Sequence, residues 1–233
     1  MIAIENLTKR YGESVAVDGL SFEARDGEIT GLLGANGAGK TTTLRIIAGV
    51  LAPETGTVRI TGGPDSLGAL LDHAGIYDRL TARENVEYFG RLRGLSSLDD
   101  RVGEVIGQLG LSAIADRRVR GFSMGERMKT ALARTLVHGP RNLLLDEPTN
   151  GLDIPTVRSL RDLLRRLRDR GHAIIFSSHV LDEVQSLCDR LVVIARGAMA
   201  ADGTPEQLCR LTGCRSLEDA YLQLAGAREV AAC

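Results

Sequence analysis

The chain has 233 residues, with 29 basic against 30 acidic side chains, a net charge of −1, 43% apolar and 3% aromatic residues. This is an ordinary globular composition, long enough for one domain or one and a half around a packed core, and it excludes disorder. With a charge near zero, no Trp, four Tyr and four Phe, there is no overall pull toward nucleic acid or anionic lipid and few platforms for stacking single strands.

Taken in chain order, the start MIAIENLTKRYG carries acid and base before any apolar run, so no signal peptide is expected. Up to about residue 30, apolar and polar positions alternate (Ile2, Ile4; Ala16, Val17; Leu20, Phe22) between turns at Tyr11-Gly12 and Asp26-Gly27, which predicts short antiparallel strands. Ile29 to Leu33 reads as a short buried strand ending in a glycine-rich turn. The uncharged stretch around it, Ile29 to Gly39, has 11 residues and none in the chain is longer, against about 20 for a spanning helix, so no membrane crossing is expected. A helix follows, with Leu44, Ile47 and Ala48 on one face and Gly49 as its stop. Thr57 to Ile60 is strand-like. From 84 to 138 the spacing turns helical (Val86, Phe89, Leu92; Val102, Ile106, Leu109), which marks a helical insertion.

Three apolar runs come next, Leu143 to Leu145, Ala173 to Phe176 and Leu191 to Ile194, separated by helical patterns such as Val157, Leu160, Leu164 and Leu167. Strands alternating with helices predict a parallel sheet covered on both faces. The arginines at 158, 161, 165, 166, 168 and 170 are interleaved with Asp162 and Asp169, which favours a solvated helix face over a nucleic-acid patch. Thr204, Pro205 and Gln207 read as cap, first position and third position of a short helix, followed by a second amphipathic stretch from Ser216 to Leu224. Cys188, Cys209, Cys214 and Cys233 all fall in the last quarter without a CxxC pair or nearby His. A reduced cytosolic chain fits them better than a disulfide framework or zinc site. No internal repeat is evident.

Four segments carry chemistry. Gly34-Ala35-Asn36-Gly37-Ala38-Gly39-Lys40-Thr41 fits the phosphate-loop pattern G-x-x-x-x-G-K-[ST], between a buried strand and a helix, as that mechanism requires. Its backbone N–H groups can curl around phosphate oxygens, Lys40 can reach the β- and γ-phosphates, and Thr41 can hold Mg²⁺. Asp146 and Glu147 end an apolar strand at the edge where a parallel sheet binds ligands. Such a pair alone is commonly a helix cap or solvated turn. Beside a phosphate loop, Asp146 suits Mg²⁺ and Glu147 suits a general base. Ser123-Met124-Gly125-Glu126 is a capping box and also a helix N-terminus able to face an anion. His179 stands three residues beyond Phe176, at another strand end; a lone histidine there is usually a polar turn residue, and its interest is its position.

The order of these pieces resembles the ATP-binding cassette (ABC) ATPases over almost the whole chain. Walker A is Gly34 to Thr41, the signature is Phe122 to Glu126, Walker B is Leu143 to Glu147, the D-loop is Pro148 to Asp153, and the switch histidine is His179. The resemblance implies an α/β fold: a P-loop NTPase core with a mainly parallel sheet, an N-terminal antiparallel β subdomain and an inserted helical subdomain. The expected division is 1–76 (β subdomain and Walker A core), 77–139 (helical signature subdomain), 140–210 (core with Walker B and switch histidine) and 211–233 (helical tail).

It also implies that ATP and Mg²⁺ are bound, that Tyr11 stacks on adenine, and that the nucleotide meets Gly34, Ala35, Asn36, Gly37, Ala38, Gly39, Lys40, Thr41 and Thr42. A head-to-tail homodimer would bring Ser123 and Gly125 to the γ-phosphate in trans, with Glu126 counted in the same nucleotide-binding signature, Asp153 across the interface, and His179 onto the γ-phosphate and the attacking water. Met124 and Glu126 depart from the common LSGGQ signature, and the Glu126 carboxylate is expected to turn back onto its own helix. No glutamine lies between the phosphate loop and Gln108, so Asp72 is expected where the family has its Q-loop glutamine, with an oxygen for Mg²⁺. Asp72 to Val86, Phe122 to Leu136 and Thr204 to Leu208 resemble the NatA-type sodium-efflux and drug-export branch. That resemblance implies an exporter's ATPase subunit, peripheral on the cytoplasmic face, driving a separately encoded membrane permease without nucleic acid. Tyr77 and Leu80 either grip that partner's coupling helix or pack the joint between subdomains. The alternative is a soluble, non-transport ABC ATPase that remodels protein or nucleic acid; a small-molecule kinase leaves the signature helix without a use.

Overall fold

The computed structural model describes residues 1–71 and 75–230. Strands β1 (Ile2–Tyr11), β2 (Ser14–Ala24) and β4 (Thr55–Ile60) form an antiparallel three-stranded sheet in the order β2-β1-β4. A second sheet has the order β5-β6-β7-β3-β8-β9, from β3 (Glu28–Leu33), β5 (Leu67–Leu70), β6 (Asn142–Asp146), β7 (Ala173–Ser178), β8 (Arg190–Ala195) and β9 (Ala198–Gly203). Its first five strands are parallel and β9 closes the edge antiparallel to β8.

The apolar runs of β3, β6, β7 and β8 are continuous because both sheet faces are covered. Alternate residues divide between two cores. Ile29, Leu33, Leu143, Leu145, Ile174, Phe176, Leu191 and Val193 face a helical layer. Leu32, Leu144, Ile175, Val192 and Ile194 face α1 (Lys40–Ile47) and the three-stranded sheet. The helical layer contains α2 (Ala82–Leu92), α3 (Leu98–Gln108), α4 (Met124–Leu136), α5 (Ile154–Asp169) and α6 (Leu181–Leu187), followed by α7 (Pro205–Thr212) and α8 (Leu217–Val230). Among the described residues, α2, α3 and α4 are the only α-helices between β5 and β6, so the helical insertion forms as its spacing predicts.

Two strands were not legible. β5 is a four-residue edge strand containing Gly68, and β9 reads Ala-Met-Ala-Ala-Asp-Gly with no β-branched residue, so neither has a strand signature of its own. Leu92, expected on the inner face of α2, is exposed.

This topology brings three strand ends side by side. In register, Leu32 of β3 pairs with Ser177 of β7, and Ser177 pairs with Asp146 of β6. The phosphate loop, the acidic pair and His179 therefore leave the same C-terminal edge, where open α/β sheets bind ligands.

Candidate nucleotide site

The phosphate loop runs from the end of β3 into α1. Gly39 sits at the helix start with φ 107°, a conformation that side chains rarely adopt. A Cβ there would stand 2.3 Å from the Ala16 carbonyl oxygen, and that backbone atom cannot yield. The three-stranded sheet thus presses directly on the loop, assisted by hydrogen bonds from Asp18 N–H to the Gly197 carbonyl at 2.8 Å and from Gly197 N–H to the Ala38 carbonyl at 3.0 Å. Ala16 also lines the phosphate cleft, a volume of about 280 Å³, with Asn36, Gly37, Gly39, Lys40, Thr41, Thr42, Glu147 and Asn150.

Lys40 is 5% exposed. Its ammonium donates to the Gly34 carbonyl at 2.7 Å and the Ala35 carbonyl at 3.3 Å, and lies 3.3 Å from Glu147 Oε1. A buried charge needs such partners, and this set holds the cation over the loop. Glu147 Oε2 accepts from His179 Nδ1 at 2.6 Å and from the Asn150 amide at 3.1 Å. Because an ionised carboxylate only accepts, Nδ1 of His179 carries the proton in this contact. The sequence motifs at Lys40, Glu147 and His179, up to 139 residues apart, meet as one hydrogen-bonded line.

Glu147 adopts φ 48°, a strained conformation for a residue with a side chain, costing about 1 kcal/mol or more. Ser177 holds it there. The Ser177 hydroxyl, fully buried, accepts from Glu147 N–H at 3.0 Å and donates to Asp146 Oδ1 at 2.6 Å. One hydroxyl orients both carboxylates. Thr41 and Asp146 offer the hard oxygens that Mg²⁺ prefers. Two such oxygens leave most of an octahedral shell to other ligands, so this donor set fits a cation that takes phosphate oxygens and water as well. Asp72 lies outside the described residues.

The signature residues do not line this cleft. Ser123 caps α4, its hydroxyl accepting from Glu126 N–H at 3.2 Å, while the Glu126 carboxylate accepts from Ser123 N–H at 2.8 Å. The carboxylate is turned back, as expected from the capping box. The N-terminus of α4 abuts that of α5. A Cβ on Gly151 would lie 2.5 Å from Met124 Sδ, and one on Gly125 would lie 2.9 Å from Thr156 Oγ1. Met124, 56% exposed, packs over Gly151, whose φ of 72° favours glycine. Asp153 caps α5 by accepting from Thr156 N–H at 2.9 Å, and hydrogen bonding by the Thr156 side chain and backbone holds its carboxyl below the usual range. Tyr11 is half exposed at the β1–β2 hairpin end, with Lys9 Nζ 6.0 Å from its ring centroid, and does not line the cleft.

Beyond β5, Tyr77 is 47% exposed and packs edge-on against Tyr88 at 5.2 Å and stacked with Phe89 at 6.4 Å. With Ile76, Leu80 and Tyr88 it borders an open depression. Asn85, fully buried, clamps this segment: its side chain accepts from Tyr77 N–H at 2.8 Å and donates to the carbonyls of Tyr77 at 3.1 Å and Thr81 at 2.8 Å. On α5, Arg165 pairs with Asp162, and Arg168 with Asp169 and Asp189, as a solvated face requires. Cys188, Cys209 and Cys214 are free thiols, and burial pushes the Cys188 thiol up.

Sequence reasoning missed Ala16, Ser177, Asn85 and Asn150. Asn150 was in view within the D-loop segment, but nothing local marks an asparagine three residues after a glutamate as its partner.

A phosphate loop, an acidic pair and a histidine converging on the edge of a parallel sheet, with a capped signature helix beside them, define a phosphate-loop ATPase of the cassette type. The sequence profile of the ABC transporter family matches residues 17–150, and the chain belongs to that family as an ATP-binding and ATP-hydrolysing subunit. It is similar to the ABC transporter ATP-binding protein NatA of Bacillus subtilis (strain 168), at 39% identity over 224 residues, 89% of this chain and 91% of that one. The Nod factor export ATP-binding protein I of Paraburkholderia xenovorans (strain LB400) is 41% identical over 218 residues, 89% of this chain and 72% of its own. A solved ATP-binding subunit of an ABC transporter superposes with a TM-score of 0.88 at 26% identity, covering 96% of this chain and 99% of its own.

Proposed function

We propose that the chain powers an ABC exporter as a head-to-tail homodimer on the cytoplasmic face of the membrane, driving a separately encoded permease. One observation carries this reading. Glu147 and Asn150 line the phosphate cleft, whereas the signature residues do not, and Met124 at the capped N-terminus of α4 lies against Gly151 of the neighbouring turn. Within one copy the signature residues stay outside the cleft, and a second copy turned head to tail is proposed to bring its own to the phosphates.

In that arrangement Gly34 to Thr42 cradle the phosphates, Tyr11, exposed at the β1–β2 hairpin outside the phosphate cleft, is assigned to adenine, and Ser123 and Gly125 meet the γ-phosphate of the opposite subunit. Thr41 and Asp146 would hold Mg²⁺, which would neutralise phosphate charge when bound, and Asp72 is the further oxygen ligand expected from the sequence. Glu147 takes the proton of the attacking water, and His179, held by Glu147, presents its ring to the γ-phosphate. Glu126 and Asp153 keep their carboxylates on their own helix caps, sparing the phosphates added negative charge.

Among the described residues no helix is long and apolar enough to cross a membrane, and we assign the membrane path to the permease. The exposed ring of Tyr77, with Leu80 beside it on a segment braced by Asn85, is the proposed gripping surface. The same ring packs on Phe89 and Tyr88 of α2, within the helical subdomain. The export name of one relative supports the direction of transport. The domain division proposed is 1–76, 77–139, 140–210 and 211–233.

The test is ATP-dependent flux in vesicles containing the chain and its copurified membrane subunit. Glu147→Gln is expected to retain ATP binding, to lower hydrolysis by about 10²-fold or more, and to abolish flux. Flux at the normal rate in that variant sinks the reading.

A further inference from the structure

Glu183, in the first turn of α6, belongs to no motif considered so far. Its Oε2 accepts two hydroxyl hydrogen bonds, from Thr149 Oγ1 at 2.7 Å and from Ser178 Oγ at 2.7 Å. The two donors come from different loops. Thr149 stands two residues after Glu147, in the turn that also carries Asn150. Ser178 immediately precedes His179, and its hydroxyl accepts from Val180 N–H at 3.0 Å, so it spans the histidine from both sides. Both hydroxyls are almost fully buried, Thr149 at 5% and Ser178 at 1% exposure.

Among the described residues, no Lys, Arg or His side chain is ion-paired with Glu183. A half-buried carboxylate without a counter-ion is costly, and here its hydrogen-bonding capacity is directed to these two loops. The loops meet again at the 2.6 Å contact between Glu147 and His179. A closed ring results: Glu147, Thr149, Glu183, Ser178, His179 and back to Glu147.

We infer that Glu183 is a positioning residue for ATP hydrolysis, tying the Glu147 loop to the His179 turn so that base and histidine stay in register. It touches neither nucleotide nor water and acts through His179. The inference rests on the reading of Glu147 and His179 as the catalytic pair, and its test separates the two.

Three measurements on the full chain are compared: turnover at saturating ATP, affinity for a fluorescent ATP analogue, and the side-chain ¹⁵N signal of His179, one of four histidines. Glu183→Ala is expected to lower turnover about 10-fold or more, in keeping with the cost of a misplaced catalytic group. Nucleotide affinity should stay within about twofold, and the His179 Nδ1–H hydrogen-bond signature should be lost. Glu183→Gln, whose carbonyl can still accept both hydroxyls, should restore most of the turnover. In a His179→Ala background, Glu183→Ala should slow turnover no further, because the two act as one unit.

Retention of the Nδ1–H signature in Glu183→Ala, or an undiminished extra loss in the His179→Ala background, overturns the inference. Loss of the signature with turnover unchanged leaves the tie standing and overturns the catalytic reading instead. Should Glu183→Ala fail to fold, Thr149→Val and Ser178→Ala each remove one arm of the ring. Each should then weaken the same signature, and its survival in both overturns the inference.

Discussion

A hydroxyl can do for two carboxylates what neither does for itself. Ser177 donates its one proton to Asp146 and receives the N–H of Glu147, fixing the orientation of the first and the left-handed backbone of the second. Alanine at this position leaves a buried N–H and a carboxylate oxygen without their partner, which costs about 1–3 kcal/mol. Because the proposed Mg²⁺ ligand is held from behind by this hydroxyl, Ser177→Ala should also weaken activation by Mg²⁺, on the order of 10-fold, as loss of an orienting neighbour does at metal sites. A Mg²⁺ titration of ATPase activity, set beside urea denaturation, separates the effects. An unchanged half-activating concentration in a destabilised variant would assign Ser177 to stability alone.

At the scale of elements, α4 carries the departure from the common signature. The reciprocal bonds between Ser123 and Glu126 satisfy two backbone donors at the helix start, and they account for a glutamate being tolerated at a helix end proposed to face phosphate. The carboxylate is occupied with its own backbone. Glu126→Gln preserves both bonds and should change ATPase turnover by less than about threefold. Ser123→Ala should cost about 1 kcal/mol of stability and reduce turnover beyond what that loss explains, because the hydroxyl is proposed to face the partner's γ-phosphate. Steady-state turnover at a temperature where both variants are folded is the measurement. A 10-fold acceleration by Glu126→Gln would mean that the carboxylate faces the phosphates after all.

The same helix illustrates what was legible in the sequence. Capping boxes at Ser123 and Thr204 are local, with donor and acceptor three residues apart, and both form. The phosphate loop, the acidic strand end and the Arg-Asp pairs of α5 are local too. Ser177 was hidden because Asp146 lies 31 residues away and is its neighbour only through strand register, and Glu183 because one of its two partners, Thr149, lies 34 residues away. β5 and β9 were hidden for a different reason: each gains its hydrogen bonds from the sheet edge it joins and carries little intrinsic strand preference.

On the scale of the whole molecule, two histidines sit at joints between layers. His138, just after α4, donates from Nε2 to the Leu67 carbonyl of β5 at 3.1 Å, linking the helical insertion to the sheet edge. His172, between α5 and β7, donates from Nδ1 to the Leu167 carbonyl at 2.8 Å. Burial, and then the nearby Arg93, lowers the pKa of His138; burial lowers that of His172, with Arg170 adding to it. Both rings therefore resist protonation in the fold, while in the unfolded chain they titrate near their ordinary value of about 6.5. Below that pH the unfolded chain binds more protons than the folded one, so the stability that the neutral rings provide is present at neutral pH and declines as pH falls. Each contributes a slope of at most about 1.4 kcal/mol per pH unit. Urea denaturation of the wild type at pH 7.5, 6.5 and 5.5 should show stability falling over the lower interval. The double variant His138→Asn, His172→Asn retains an amide donor at each joint but no titrating ring, and its profile should be flatter. Parallel profiles for wild type and double variant would exclude these two joints as the source of acid sensitivity.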